Sequence, residues 1–252
     1  FKKWWPADVH LIGKDILTTH CVYWSTMLFS LELPLPKTIF AHGWWLTGHD
    51  KMSKSLGNVV NPLDIIEQYG VDAVRFYLMR EMILGHDSNF SLDSFIRCHN
   101  DDLANDFGNL LNRVSGLITK NHGGMIPPRS ESPAPAEQEQ EILALIGKLD
   151  AQVYSLISAF KVNEAMESIM ELVGKLNKYI EDQAPWKLAK TDIVSAERVL
   201  STAAFGLLTA AKLLQPVMPL KCQQVIDVLS SPDGKIQPHP ALFPRIEVEK
   251  KV

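Results

Sequence analysis

The sequence predicts an α/β segment followed by an all-α bundle, and three observations carry that prediction. Two strand-like runs, residues 9–12 and 37–46, flank a helical pattern over 15–31, which is the spacing of a parallel βαβ unit. From residue 91 onward the apolar side chains recur at three- and four-residue steps, as at Leu103, Phe107, Leu110, Leu111 and Val114, the period of amphipathic helices. Between these regimes the chain has short helical patterns and no repeat, so the change of character is a change of architecture.

The elements follow in order. The run 9–12 ends at Gly13, and the helix over 15–31 leads to the strand 37–46 with Thr38, Ile39, Phe40, Trp44 and Trp45. Residues 47–58 are polar, contain Gly48 and Gly57, and read as a loop. Asn61-Pro62 opens a short helix, with proline at its favoured first position, and Gly70 closes it; residues 71–84 read as a further helix. A long helix covers 91–120. Residues 121–136 hold two glycines and four prolines and read as a linker. Helices are then expected near 137–160, 161–182, Ile193–Leu214 and 220–229, the last two separated by Pro216 and Pro219, with loop and tail from Ser231.

Composition narrows the function classes. With 252 residues, 46% hydrophobic and 21% charged, the chain is ordinary globular material for one large domain or two modest ones. Its net charge of −4 argues against non-specific nucleic-acid binding, so any such contact must come from local patches and shaped pockets. Cys21, Cys98 and Cys222 lie far apart, without zinc-site spacing and in odd number. Three free thiols in a reducing compartment are expected, and no metal site. The apolar runs read as too short or too interrupted to span a bilayer, and no signal-peptide pattern opens the chain. It starts without methionine and runs at once towards a strand, as a chain entered in mid-domain would.

One motif carries chemistry by itself. Lys51-Met52-Ser53-Lys54-Ser55 is five specified residues in a row, with a chance of occurrence here on the order of one in ten thousand. It follows a strand in a polar segment, where α/β folds place ligand contacts. Two lysines on such a loop suit a reaction in which ATP loses pyrophosphate and charge grows on the leaving oxygens. Ser53 and Ser55 add hydroxyl donors, and Gly48 and Gly57 supply hinge freedom. The bland reading is a solvated Lys/Ser loop.

The loop resembles the signature of class I aminoacyl-tRNA synthetases. It names the class and leaves the amino acid open. His10-Leu11-Ile12-Gly13-Lys14-Asp15-Ile16, followed by His20 and Trp24 and then by Ala41-His42-Gly43-Trp44, is similar to the methionyl-tRNA synthetase family. The resemblance implies that Gly13 and Asp15 lie against the ATP ribose, whose hydroxyls a carboxylate accepts. It implies that the strand before the loop, at Trp45, offers backbone groups to adenine. It implies that Ile16, His20 and Trp24 line a methionine pocket. Those three residues share a helix face and would suit a thioether; spacing alone favours a core stripe with one satisfied histidine. The isoleucyl, leucyl, valyl and cysteinyl enzymes, which carry the lysine loop, are the competing readings.

The helical region bears a second resemblance. Asp106-Phe107-Gly108-Asn109-Leu110-Leu111-Asn112-Arg113 and Gln183-Ala184-Pro185-Trp186 resemble the family's anticodon-binding bundle, which implies that Asn109, Arg113 and Trp186 meet anticodon bases. Unstacked bases are read by aromatic stacking and by hydrogen bonds to their edges, and these residue types supply both. Spacing alone reads Asn109 and Arg113 as a solvated face and Trp186 as core. Arg75, Arg80 and Arg97 read as phosphate contacts or plain surface charges.

The resemblance implies a division into 1–58, the back half of a Rossmann-like nucleotide-binding domain with the second half of its parallel sheet; 59–95, a stem-contact linking region; and 96–252, a helical anticodon-binding domain. It implies ATP with Mg²⁺, L-methionine and tRNA(Met) as partners, no membrane, and a cytoplasmic location with the mitochondrion open. The family's other signature, His-Ile-Gly-His, does not occur in the sequence. The expectation is a C-terminal half that is inactive alone, and a non-catalytic tRNA-binding module is the reading of a different class.

Overall fold

A computed structural model describes residues 1–48, 50–51, 60–129 and 136–247. The chain forms two compact units that interleave in sequence: Phe1–Asn61 with Glu81–Ser91, and Pro62–Arg80 with Leu92–Val252. The sequence reading has contiguous spans. Residues 62–80 join the helical unit and 81–91 the sheet unit because the helices there bury Ile65, Val74, Phe76 and Tyr77, while the segment after them returns as a strand.

In the sheet unit, β1 (Val9–Gly13) and β2 (Thr38–His42) pair in parallel, with Val9 opposite Thr38 and Gly13 opposite His42. The connection between them is helical, as the βαβ spacing requires. It begins as a tight turn at Lys14–Ile16, widens into π-type turns over Thr19–Trp24, and becomes regular only in α1 (Ser25–Ser30). The expected strand 37–46 is broken. It ends at His42, and Trp45–Thr47 forms β3 in a separate three-stranded sheet, between β4 (Asp50–Lys51) and β5 (Ser88–Phe90). β3 is parallel to β5 and antiparallel to β4, with Thr47 opposite Asp50 and Gly48 in the turn at φ +68°. Lys51 therefore sits on a strand where a loop was expected: the left-handed turn that glycine permits brings the chain straight back.

In the helical unit, α2 (Pro62–Tyr69) and α3 (Val71–Glu81) precede α4 (Leu92–Cys98). α3 stops before the residue 84 expected from its pattern. The expected long helix is continuous through α4, a π-type stretch His99–Gly108, and α5 (Asn109–His122), closed by left-handed Gly123. α6 (Glu137–Ser158), α7 (Val162–Gln183), the short α8 (Pro185–Leu188), α9 (Ile193–Leu214) and α10 (Pro219–Leu229) complete the bundle. α9 is its centre and packs on α7, α10, α8, α6 and α5. Its 22 residues have the length and apolarity of a membrane-crossing helix, contrary to the reading that no run is long enough. It is apolar nearly all round because neighbours enclose it. At Gly206 a Cβ would meet the Leu176 methyls of α7, so the glycine allows the close approach of the two helices.

Candidate active site and nucleic-acid interface

The turn after β1 places Gly13, Lys14 and Asp15 at the carboxyl end of a parallel strand, where open α/β sheets bind ligands. Asp15 accepts a hydrogen bond from the Trp44 indole, Nε1 to Oδ2 at 2.6 Å. Lys14 Nζ donates to both oxygens of Asp87, at 2.6 and 2.8 Å, and lies 3.8 Å from the centroid of the Trp44 ring. The Trp44 backbone N–H donates to Asp87 Oδ1 at 2.8 Å. The bond from Lys14, then that from Trp44, hold the Asp87 carboxyl below the usual carboxylate range.

Ile16, His20 and Trp24 project from the helical connection. Ile16 is 44% exposed, while His20 and Trp24 are half-buried. His20 Nδ1 lies 3.0 Å from the Ile16 carbonyl, which ties the first two together through the turn. The wide turns from Thr19 to Trp24 re-aim these side chains relative to a regular helix, a feature common at functional sites. Two residues that periodicity does not single out join them. The Trp24 and Trp5 rings meet edge-to-face, Trp5 meets His10, and His10 meets His20 edge-to-face, each at 6.0 Å between centroids. The group is a connected aromatic wall. His10 Nδ1 and Trp24 Nε1 are buried in it without a hydrogen-bond partner among the described residues.

Trp45 begins β3, opposite Ser88 of β5, and the pairing with β4 starts one residue later at Leu46. Lys51 ends β4. Ser53, Lys54 and Ser55 lie outside the described residues. Among the described residues no group of three or more His, Cys, Asp or Glu side chains is placed to hold a metal ion.

Asn109 and Arg113 stand one turn apart at the start of α5, exposed and half-buried respectively, directly after the π-type stretch. Trp186 is 39% exposed rather than a core residue. It follows a corner in which Ala184 adopts a left-handed conformation, φ 43° and ψ 60°, and Pro185 opens α8. That corner is tethered by Gln138 at the start of α6: its amide donates to Asp182 at 2.8 Å, and it accepts from Gln183 at 3.0 Å. Arg75 and Arg80 are spent inside the unit. Arg75 donates to the carbonyls of Val217 and Pro216, and Arg80 pairs with Glu167 at 2.9 Å. Arg97 remains exposed beside Asn100, Asp101 and Arg245.

Comparison with known proteins decides the relationship. The family model described as tRNA synthetases class I (M) matches residues 1–115, and that of the anticodon-binding domain of tRNA ligase matches 139–249. The chain belongs to the methionyl-tRNA synthetase family, within class I. It is 41% identical to the methionine–tRNA ligase of Rickettsia felis over 91% of the chain and 45% of that protein. To that of Clostridium acetobutylicum it is 40% identical, over all of the chain and 41% of that protein. The Mycobacterium tuberculosis methionyl-tRNA synthetase in complex with methionyl-adenylate superposes with a TM-score of 0.91 at 35% identity, covering 97% of this chain and 51% of that one. The chain thus spans about half the length of its relatives. The partial class I sheet followed by a helical bundle accords with the family's fold.

Proposed function

We propose that the whole protein containing this chain is a methionine–tRNA ligase. It activates L-methionine with ATP to methionyl-adenylate, releasing pyrophosphate, and transfers the methionyl group to the 3′ end of tRNA(Met). The observation that carries this reading is that the helical connection leaving β1 supplies both a carboxylate at Asp15, braced by the Trp44 indole, and His20 and Trp24, which join one aromatic cluster.

The roles follow from chemistry. Gly13 keeps the turn low and Asp15 accepts from ribose hydroxyls. The backbone at Trp45 receives adenine. Ile16, His20 and Trp24 enclose the thioether, to which soft aromatic faces are attractive. Lys51 and Lys54, with Ser53 and Ser55, neutralise the charge that develops on pyrophosphate as it leaves, which lowers the barrier because that charge is larger in the transition state than in ATP. Mg²⁺ travels with the ATP phosphates, and the described residues hold no group of three or more His, Cys, Asp or Glu side chains placed to cage it. Asn109 and Arg113 read base edges and Trp186 stacks on a base. A reducing compartment, the cytoplasm, suits the free thiols.

The test separates the two ends in the full-length protein. Lys54→Ala slows methionine-dependent ATP–pyrophosphate exchange by about 10²–10³-fold and leaves tRNA affinity nearly unchanged. Trp186→Ala raises the KM for tRNA(Met) by roughly 10–100-fold, the worth of one stacked base, and spares exchange. Loss of exchange in Trp186→Ala as large as in Lys54→Ala would overturn the anticodon assignment, and undiminished exchange in Lys54→Ala would overturn the role of the loop.

A further inference from the structure

We propose that Asp87 is a positioning residue for the ribose side of the ATP site, acting on Asp15 through Lys14 and Trp44. The inference rests on the reading of Asp15 as the ribose acceptor and adds to it a residue from the segment that precedes β5.

The geometry is a closed ring. Asp87 receives Lys14 Nζ on both oxygens, at 2.6 and 2.8 Å, from 73 residues away in sequence. The same carboxylate accepts the Trp44 backbone N–H at 2.8 Å, and the Trp44 carbonyl accepts from the Ser88 N–H at 2.9 Å. The Trp44 indole N–H then reaches Asp15 Oδ2 at 2.6 Å. Since Lys14 and Asp15 are neighbours in one tight turn, the ring runs from Asp87 through Lys14 to Asp15, and back through Trp44. Gly43 makes the closure possible. It is buried against the segment that carries Asp87, and any Cβ there would run into the His86 carbonyl and the Asp87 backbone nitrogen.

The ring has two chemical consequences. It orients the Asp15 carboxylate through the Trp44 indole N–H, and a carboxylate, with about four lone-pair sites, is a natural acceptor for ribose hydroxyls. It also commits the Lys14 ammonium, which sits over the Trp44 ring and is neutralised by Asp87. Lys14 is thereby set apart from Lys51 and Lys54: its charge holds the turn and does not grip phosphate. A side chain held by such a network meets its ligand already oriented.

The experiment uses the full-length protein as wild type and as three variants, Asp15→Asn, Asp87→Asn and Trp44→Phe, with ATP, 2′-deoxy-ATP and 3′-deoxy-ATP in pyrophosphate exchange. Trp44→Phe deletes the indole N–H and keeps an aromatic ring at the position over which Lys14 lies, which keeps the question answerable if Asp87→Asn folds poorly. The expected result is a KM for ATP raised roughly three- to tenfold in Asp87→Asn and Trp44→Phe, the effect of a weakened hydrogen bond, with the KM for methionine unchanged. The preference for ATP over at least one deoxy analogue should shrink, because the misplaced carboxylate no longer reads the missing hydroxyl. If Asp15→Asn reduces that preference while Asp87→Asn and Trp44→Phe retain it in full, the positioning role is overturned and the ribose assignment stands. If Asp15→Asn itself retains the preference, the ribose assignment falls and the inference with it. An equal rise in the KM for methionine would mark a merely structural role and would also overturn it.

Discussion

Three cysteines of one chain differ in chemistry only because of where they sit. Cys222 on α10 is fully buried, and burial, helped by the negative charge of Asp72, pushes its thiol up to about 12. At neutral pH it holds its proton, and the thiolate is the nucleophile. Cys98 is buried too, with its Sγ 3.5 Å from Asp102 Oδ2, whereas Cys21 is exposed on the wide turns beside His20. Brief treatment of the native protein with iodoacetamide at about pH 7.5 should therefore label Cys21 and leave Cys98 and Cys222 unmodified until denaturant is added; peptide mass mapping would reveal native labelling of Cys222 and contradict this account. Sequence shows three unpaired thiols and no more, since exposure is a property of packing. The site residues divide in the same way. Asp15, His20 and Trp24 are legible in the string that carries the family resemblance. Asp87 is not, because a lone aspartate in a polar segment has no pattern until Lys14 and Trp44 are brought to it.

At the scale of elements, periodicity finds helices and misplaces what long-range contacts decide. α6, α7, α9 and α10 lie close to their expected bounds, since each has a continuous apolar stripe. β5 goes unseen: Ser88–Phe90 is too short for a pattern, and it exists because β3 lies beside it. The first turn of α6 holds a similar surprise. Glu139 is an acidic residue in that turn, yet it is only 2% exposed. Thr202 Oγ1 of α9 donates to it at 2.9 Å, and Arg198 Nε pairs with it at 3.0 Å. Burial and the charge of Glu139 also raise the Tyr179 phenol well above its ordinary range. Removing one partner of a buried pair costs about 3–5 kcal/mol, because the other charge is left uncompensated. Glu139→Ala should lower the unfolding free energy from urea denaturation by that order, whereas Glu139→Leu combined with Arg198→Met should recover much of the loss. A double variant as unstable as Glu139→Ala would show that the pair itself, and not the orphaned arginine, sets the stability.

At the scale of the whole molecule, the segment after α10 folds back over the helical unit. Ile246 exchanges two hydrogen bonds with the Asn100 side chain, at 2.8 and 2.9 Å, and Leu242 and Phe243 are buried. This closure seals His99 between the rings of Phe95 and Phe243, with Asn100 Oδ1 at 3.4 Å and the Lys221 charge nearby. Burial, with a smaller contribution from Lys221, lowers the His99 pKa below its ordinary 6.5. The folded state then resists a proton that the unfolded chain accepts, so stability falls as pH drops from about 6.5 towards the folded-state pKa. Asp102 and Asp106, raised by burial, act in the opposite direction: the cost of keeping them charged is relieved as the pH falls towards their unfolded range. The difference between wild type and His99→Gln isolates the histidine. Urea midpoints measured at about pH 7.5 and pH 5.5 should fall further on acidification in the wild type than in the variant, and equal falls would contradict the assignment.

The sequence by itself determined the architecture class, the positions of the long helices, the lysine string at 51–55 and the Gly-Lys-Asp turn, because each is written in local period or in adjacent residues. Only the tertiary structure decided that the strand after β2 leaves its sheet at Gly43, that Trp186 stands at the surface of a tethered corner, and that Glu139 is buried. It alone joined Lys14 to Asp87 across 73 residues. The physical reason is common to all of these. A charged or polar side chain has no fixed place of its own, and its burial and orientation follow from partners that only the folded chain brings within hydrogen-bonding distance.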